Sequence, residues 1–168
     1  MDLGSGNSPA IKDLLQRGWR VIAVDSSRAT LAILEKQFKG EINLGKLSLI
    51  EKDVATFTPL ESADLVIAAD IFPYINPSKF ENLWNRIHDT FIKENGFLIG
   101  NFFRVTNATP EINALKEMGA WFLPDRRMVR PLLTNQGYEI IKCTFRKDQP
   151  NNDPICIQFI AKKTFGSK

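Results

Sequence analysis

The chain has 168 residues, 43% of them hydrophobic, 10% aromatic and 24% charged, and 22 basic against 19 acidic side chains leave a net charge of +3. That composition excludes a disordered chain, and a chain of this length buries roughly 70% of its unfolded surface without a metal or disulfide staple. It excludes a helical membrane span as well, because no apolar run approaches the roughly 20 residues a bilayer needs, and the mild charge permits an anionic partner without predicting one.

The first segment is a glycine turn followed by a helix. Ser8 suits the N-cap, Pro9 the first helical position, and Ile11, Leu14 and Leu15 the apolar stripe; Gly18 stands where a glycine ends a helix. Residues 20–24 then read as an apolar strand. Ser27 suits the cap of a second helix, with Leu31, Leu34 and Phe38 inward and Gly40 after its end. Residues 47–50 and 64–69 are further apolar strands. A third helix is predicted over 78–93, where Phe80, Leu83, Trp84, Ile87 and Phe91 share one face. A strand follows at 97–103, then a helix near 110–118. Strands apolar on both faces and alternating with helices predict an α/β fold, a three-layer sandwich around a mainly parallel sheet.

The last segments differ. Residues 138–145 and 155–161 flank a run of turn formers, Lys147 to Asp153, and predict a C-terminal antiparallel hairpin. A hairpin centred near Gln149 and Pro150 sets Cys143 opposite Cys156; the reading is two buried thiols in adjacent strands. With two cysteines, no CxxC and one histidine, no zinc site is expected. Asp2 and a Gly-Ser turn occupy the place of a signal peptide's apolar core, so a cytoplasmic protein is expected. Region 104–136 has weak periodicity and several breakers, which suits a segment covering a substrate. No linker or repeat divides residues 1–168, so one domain is expected. Only Met1, Asp2 and Leu3 precede the glycine turn, and at roughly 3.3 Å per residue that stub cannot span a sheet, so the first strand reads as truncated.

Four motifs carry chemistry. In Asp2-Leu3-Gly4-Ser5-Gly6, the glycines permit a tight turn and close ligand approach, and the helix behind points its N–H groups at a ligand. Asp25 ends the next strand, 19 residues after Gly6, where an acid accepts hydrogen bonds from two ribose hydroxyls. Asp53 and Val54 follow the third strand; there a carboxylate meets an adenine amino group and the next N–H a ring nitrogen. Asp70 and Tyr74 follow the fourth strand, on the edge where open α/β sheets bind ligands. Each motif also has a plain structural use, as a turn, a helix cap or a rim plug.

Together, in this order, the motifs resemble the class I S-adenosylmethionine-dependent methyltransferases. The resemblance implies that Asp2, Gly4 and Gly6 bind the methionine part of the cofactor, Asp25 and Ser26 its ribose, and Asp53 and Val54 its adenine. It implies that Asp70 reaches the methionine end and, with Tyr74, the substrate. The family's antiparallel hairpin also matches. Ser8 replaces the third glycine often seen in the first motif. A nicotinamide-dependent dehydrogenase fits less well, since its third glycine would fall at Pro9, and proline cannot supply that close helix–strand contact.

The expected function is methyl transfer from S-adenosylmethionine to a small molecule; no nucleic-acid partner, membrane or metal is indicated. A catalytically silent methyltransferase-like scaffold that binds a partner is the alternative. Asp70-Ile71-Phe72-Pro73-Tyr74 echoes the Asn-Pro-Pro-Tyr motif of many amino-group methyltransferases only loosely. Arg104, the cluster Arg126, Arg127 and Arg130, and the aromatic residues Phe102, Phe103, Trp121 and Phe122 are minor substrate candidates beside solvated or core readings. His88 reads as a surface or boundary histidine.

Overall fold

Ser8 starts the first helix as its sequence requires. In the computed structural model, which describes residues 1–104, 110–121, 126–146 and 155–164, its Oγ accepts the Ala10 N–H at 3.2 Å, Pro9 is the first helical residue, and Gly18 adopts φ +82 after the Arg17 cap. The chain divides into two compact units, Met1–Phe57 and Thr58–Lys168.

The first unit runs β1 (Asp2–Leu3), α1 (Pro9–Gln16), β2 (Val21–Asp25), α2 (Arg28–Gln37), α3 (Lys39–Asn43) and β3 (Leu47–Glu51). Its strands are parallel in the order β3-β2-β1, with Asp2 beside Ala23 and Val21 beside Leu47. β1 is two residues long, and both residues are buried. Ile11, Leu31, Leu34 and Phe38 from the helical segments pack with Val21, Ala23 and Leu47 from the strands. Each such side chain contributes about 1.5–3 kcal/mol on leaving water, so this stripe-on-sheet contact fixes how the connecting turns sit. Ser27 caps α2 by accepting from the Thr30 N–H at 3.3 Å. Gly40 does not end the segment: α2 stops at Gln37, Gly40 lies inside α3, and Gly45 takes the positive φ of +66 beyond it. Buried Phe38 carries the chain directly from one helix into the next.

The second unit runs β4 (Ala63–Ala68), a 3-10 turn (Phe72–Tyr74), α4 (Pro77–Arg86), a π-helical turn (Ile87–Phe91), β5 (Ile92–Arg104), α5 (Pro110–Glu117), a short 3-10 turn (Arg126–Met128), α6 (Val129–Asn135), β6 (Tyr138–Arg146) and β7 (Ile155–Lys163). The order here is β4-β5-β7-β6; β4 and β5 are parallel, and β7 is antiparallel to both β5 and β6. The seven strands and their helices thus have the expected mixed α/β class, with parallel pairing first and an antiparallel hairpin last.

Three local readings of the second unit change. The helix over 78–93 ends earlier, at Arg86, and the apolar spacing of Ile87 and Phe91 continues through a π turn. β5 then starts at Ile92 instead of 97, because Ile92 pairs with Ala63 and Phe97 with Leu65, leaving an irregular stretch that holds Asn95 at φ +63. The cysteines do not face each other: Cys143 pairs with Phe159, and Cys156 with Arg146 and Phe103. A bulge between Ile140 and Lys142 moves the register away from the symmetric hairpin, and the two cysteines form no disulfide. The connecting loop with Gln149 and Pro150 lies outside the described residues.

The core of this unit is aromatic. Phe72 stacks on Phe102 at 5.2 Å and on Phe159 at 6.3 Å, and meets Trp84 edge-on at 5.4 Å. Gly100 makes room for the stack, since a Cβ there would lie 2.8 Å from both Phe159 Cζ and Phe72 Cε2. Among the described residues no helix is long and apolar enough to cross a membrane.

Candidate functional site

The glycine turn of the first unit is built by two left-handed glycines, Gly4 at φ +60 and Gly6 at φ +50. Side chains rarely adopt that conformation, whereas crowding is not the reason for glycine at position 6: a Cβ there would have Gly4 O at 3.9 Å as its neighbour. The turn is pinned from both ends. Ser5 N–H donates to Val24 O at 3.0 Å, and Ser8 N–H donates back to Ser5 O at 2.9 Å.

Asp25 ties this turn to the end of β2. Its Oδ2 accepts the Gly6 N–H at 2.8 Å, its Oδ1 accepts the Ser27 N–H at 2.8 Å, and its carbonyl accepts the Lys52 N–H at 3.0 Å. Both carboxylate oxygens are therefore fixed in space, and each keeps lone pairs for a further donor. Ser26 beside it is exposed. Asp53 is exposed too; its Oδ1 accepts the Ala55 N–H at 2.9 Å, which shapes the turn after β3, while Val54 is buried. Thus Gly6, Asp25 and the residue that follows β3 are joined by hydrogen bonds within one unit.

Asp2 is the unusual group. It is 2% exposed, and burial pushes its carboxyl up to about 6, against a hydrogen bond from Ser8 that pulls it down. Ser8, which stands in place of a third glycine, thus serves both the helix cap and this carboxyl. Asp2 Oδ2 and Ser5 Oγ are buried without a hydrogen-bond partner. A buried polar atom left unpaired costs about 1–3 kcal/mol, so two of them beside one glycine turn fit a ligand with polar groups.

The second unit carries the other candidates. Asp70, just past β4, has a left-handed backbone at φ +55. Its N–H donates to Asn101 Oδ1 at 2.7 Å, and Asn101 Nδ2 donates to its Oδ1 at 2.7 Å. Asn101 lies in the middle of an apolar strand and gave no sequence signal beyond being a polar residue among Ile99, Phe102 and Phe103. Tyr74 is 40% exposed and lies edge-on to Phe103 at 6.2 Å; partial burial and the nearby Asp70 charge raise its phenol.

The minor candidates separate. Phe102 is a core residue, stacked as described. Trp121 lies edge-on to Phe80 at 5.2 Å, and its backbone N–H donates to Pro73 O at 2.8 Å. Phe122 and the Arg126 side chain lie outside the described residues; Arg127 and Arg130 are exposed. Arg104 is half-buried at the end of β5, with an unpartnered buried Nε. His88 is buried, against the surface reading, because it packs edge-on to Tyr138 at 5.2 Å while its Nδ1 meets Asp89 Oδ1 at 2.9 Å. Among the described residues no cluster of three or more His, Cys, Asp or Glu is arranged to hold a metal ion.

Comparison with known proteins bears on these features. Residues 1–96 match the family model described as a methyltransferase domain. A stretch of 83 residues is 32% identical to the protein named probable ribosomal RNA small subunit methyltransferase A of Methanospirillum hungatei JF-1; it covers 49% of this chain and 32% of that protein, so the match spans about a third of the relative's length. Among solved structures, the 1,6-didemethyltoxoflavin-N1-methyltransferase of Burkholderia thailandensis, with 1,6-didemethyltoxoflavin and S-adenosylhomocysteine bound, superposes at TM-score 0.72 and 16% identity over 97% of this chain and 69% of that one. The magnesium protoporphyrin IX methyltransferase of Synechocystis PCC 6803, with bound S-adenosylhomocysteine, gives TM-score 0.71 at 17% identity over 97% and 73%. With more than half of its length matching the family model, and with this fold, the chain belongs to the class I S-adenosylmethionine-dependent methyltransferase family.

Proposed function

We propose that this chain binds S-adenosylmethionine at the glycine turn and transfers its methyl group to a small-molecule acceptor. The observation that carries the reading is Asp25, whose two oxygens are fixed by the Gly6 and Ser27 N–H groups and keep lone pairs for the two hydroxyls of a ribose. Ser26 lies next to that pair. Asp2, with its buried unpartnered oxygen, and the backbone at Gly4 and Gly6 serve the methionine portion, whose ammonium group suits an ionised carboxylate. Asp53 accepts from the adenine amino group through the carboxylate oxygen that Ala55 leaves unused, and the Val54 N–H donates to the ring.

The cofactor's sulfonium makes its methyl group electrophilic, and the protein's task is to align an acceptor with it. Asp70 and Tyr74 carry that task at the exit of β4: Asp70 orients the methionine end and the acceptor, and the Tyr74 hydroxyl assists the acceptor. The segment 104–136, of which 105–109 and 122–125 lie outside the described residues, is assigned to the acceptor side. A small molecule is favoured because the toxoflavin-precursor and protoporphyrin enzymes named above share the fold.

Incubation with S-adenosylmethionine carrying a radiolabelled methyl group tests the reading. Label in low-mass products from a panel of amine and hydroxyl acceptors supports it. Label in ribosomal RNA and in no small molecule contradicts the acceptor class. A folded chain that binds neither S-adenosylmethionine nor S-adenosylhomocysteine contradicts the whole reading and leaves the partner-binding scaffold.

A further inference from the structure

Asn101 is brought to the exit of β4 by strand register. Gly100 pairs with Ala68, so the next residue of β5 lies beside the chain as it leaves the sheet at Asp70. Asn101 is 4% exposed, and an amide is a costly group to bury between the apolar neighbours Leu98, Ile99, Phe102 and Phe103. Here its polar atoms are used. Oδ1 accepts the Asp70 N–H at 2.7 Å; Nδ2 donates to Asp70 Oδ1 at 2.7 Å and to Cys156 Sγ at 3.4 Å. The backbone N–H can only donate and an ionised carboxylate can only accept, so this pair fixes which way the amide points.

The partner of this clamp is itself unusual. Asp70 has φ +55, a left-handed conformation uncommon outside glycine, which aspartate and asparagine visit when local hydrogen bonds support it. The clamp engages both the backbone and one carboxylate oxygen of Asp70, and among the described residues it leaves Oδ2 without a hydrogen-bond partner. We propose that Asn101 is a positioning residue, which holds Asp70 in its left-handed conformation and thereby presents the free carboxylate oxygen to cofactor and acceptor. The proposal rests on the reading of Asp70 given above. Aspartate at position 101 would keep the acceptor for the backbone but lose the donor, and alanine would lose both.

The test combines cofactor titration with hydrogen exchange at the Asp70 amide. Wild type, Asn101→Ala, Asp70→Ala and the double variant are titrated calorimetrically with S-adenosylmethionine, and the Asp70 amide is followed by NMR in wild type, Asn101→Ala and Asn101→Asp. Expected are an affinity loss of about tenfold in Asn101→Ala, of the same size as in Asp70→Ala, and no further loss in the double variant, as for two residues that act through one group. Exchange at the Asp70 amide should quicken about tenfold or more in Asn101→Ala. In Asn101→Asp the amide should stay protected while affinity falls, because a second negative charge faces the carboxylate; a purely structural role does not separate these two readouts. Additive losses, or unchanged protection in a folded Asn101→Ala, overturn the proposal. If Asn101→Ala does not fold, unchanged affinity in Asn101→Asp overturns it. If wild type itself binds no cofactor, the functional reading fails, and unchanged or lost amide protection still decides the clamp.

Discussion

Gly6 and Asp25 lie 19 residues apart and are joined by a hydrogen bond of 2.8 Å from the glycine N–H to the aspartate Oδ2. One bond thus couples the turn after β1 to the acid that ends β2. The same carboxylate caps the entry to α2 through Ser27, so a movement of either loop is felt by the other.

Gly6→Ala should destabilise the chain by about 1–2 kcal/mol, the cost of a left-handed conformation for an L-residue, even though there is room for the methyl group. Gly40→Ala should act in the opposite direction, gaining about 0.5–1 kcal/mol, because Gly40 lies inside α3 with nothing within 4 Å of its Cβ position. Denaturant unfolding of the two variants checks the pair; equal signs would contradict the assignment.

Asp2 makes stability depend on pH. Its carboxyl is raised from 3.8 to about 6, so between those values the folded chain holds a proton that the unfolded chain has released. Its contribution is therefore favourable in acid and is lost as pH rises through about 6, by on the order of 3 kcal/mol. Wild type minus Asp2→Asn, measured by denaturant unfolding at about pH 5 and about pH 7.5, should show roughly the half of that fall that lies above pH 5, about 1.4 kcal/mol. Affinity for S-adenosylmethionine should run the other way, rising with pH through about 6, since the cofactor's ammonium needs the ionised carboxylate. A flat profile in either measurement contradicts the buried, ligand-facing acid.

The thiols of Cys143 and Cys156 should both be titratable in the unfolded chain, with or without prior reductant. Cys143 pairs with Phe159, three positions from Cys156, and three steps of about 3.3 Å exceed the roughly 7 Å that a disulfide spans between Cα atoms. Burial raises the Cys143 thiol, so its alkylation in the folded chain should be slower than that of a free thiol in solution. A Cys143–Cys156 disulfide in air-oxidised protein would contradict the register.

Gly100→Ala should cost about 1–3 kcal/mol, because the added methyl group meets two buried rings at 2.8 Å instead of a side-chain end that can swing away. Thermal unfolding should show a lower Tm with no change in the number of transitions. An unchanged Tm would mean that the aromatic stack is looser than described.

The first unit was readable because its signals are local. Ser8 with Pro9, Ser27 at its cap position and Gly18 after the helix each act within a few residues, and each is found in its expected role. Gly40 misled because a glycine after an amphipathic stripe looks like a stop, while buried Phe38 had already joined two helices. In the second unit the decisive effects are long-range. The end of α4 and the early start of β5 follow from pairing with β4, and the cysteine register follows from a bulge at Ile140 and Lys142; neither leaves a periodic trace in sequence. Asn101 could not be singled out, since its partner lies 31 residues away and the reason for it is the backbone angle at Asp70.

The most direct test of the cofactor site is calorimetric titration of S-adenosylmethionine and S-adenosylhomocysteine into the wild-type chain and Asp25→Ala. Saturable binding of both ligands is expected, weakened about a hundredfold in the variant, in keeping with the loss of charge-assisted hydrogen bonds to the ribose and of the acceptor that holds the Gly6 and Ser27 N–H groups. Binding of equal strength in a folded Asp25→Ala variant, or none in folded wild type, would contradict the assignment.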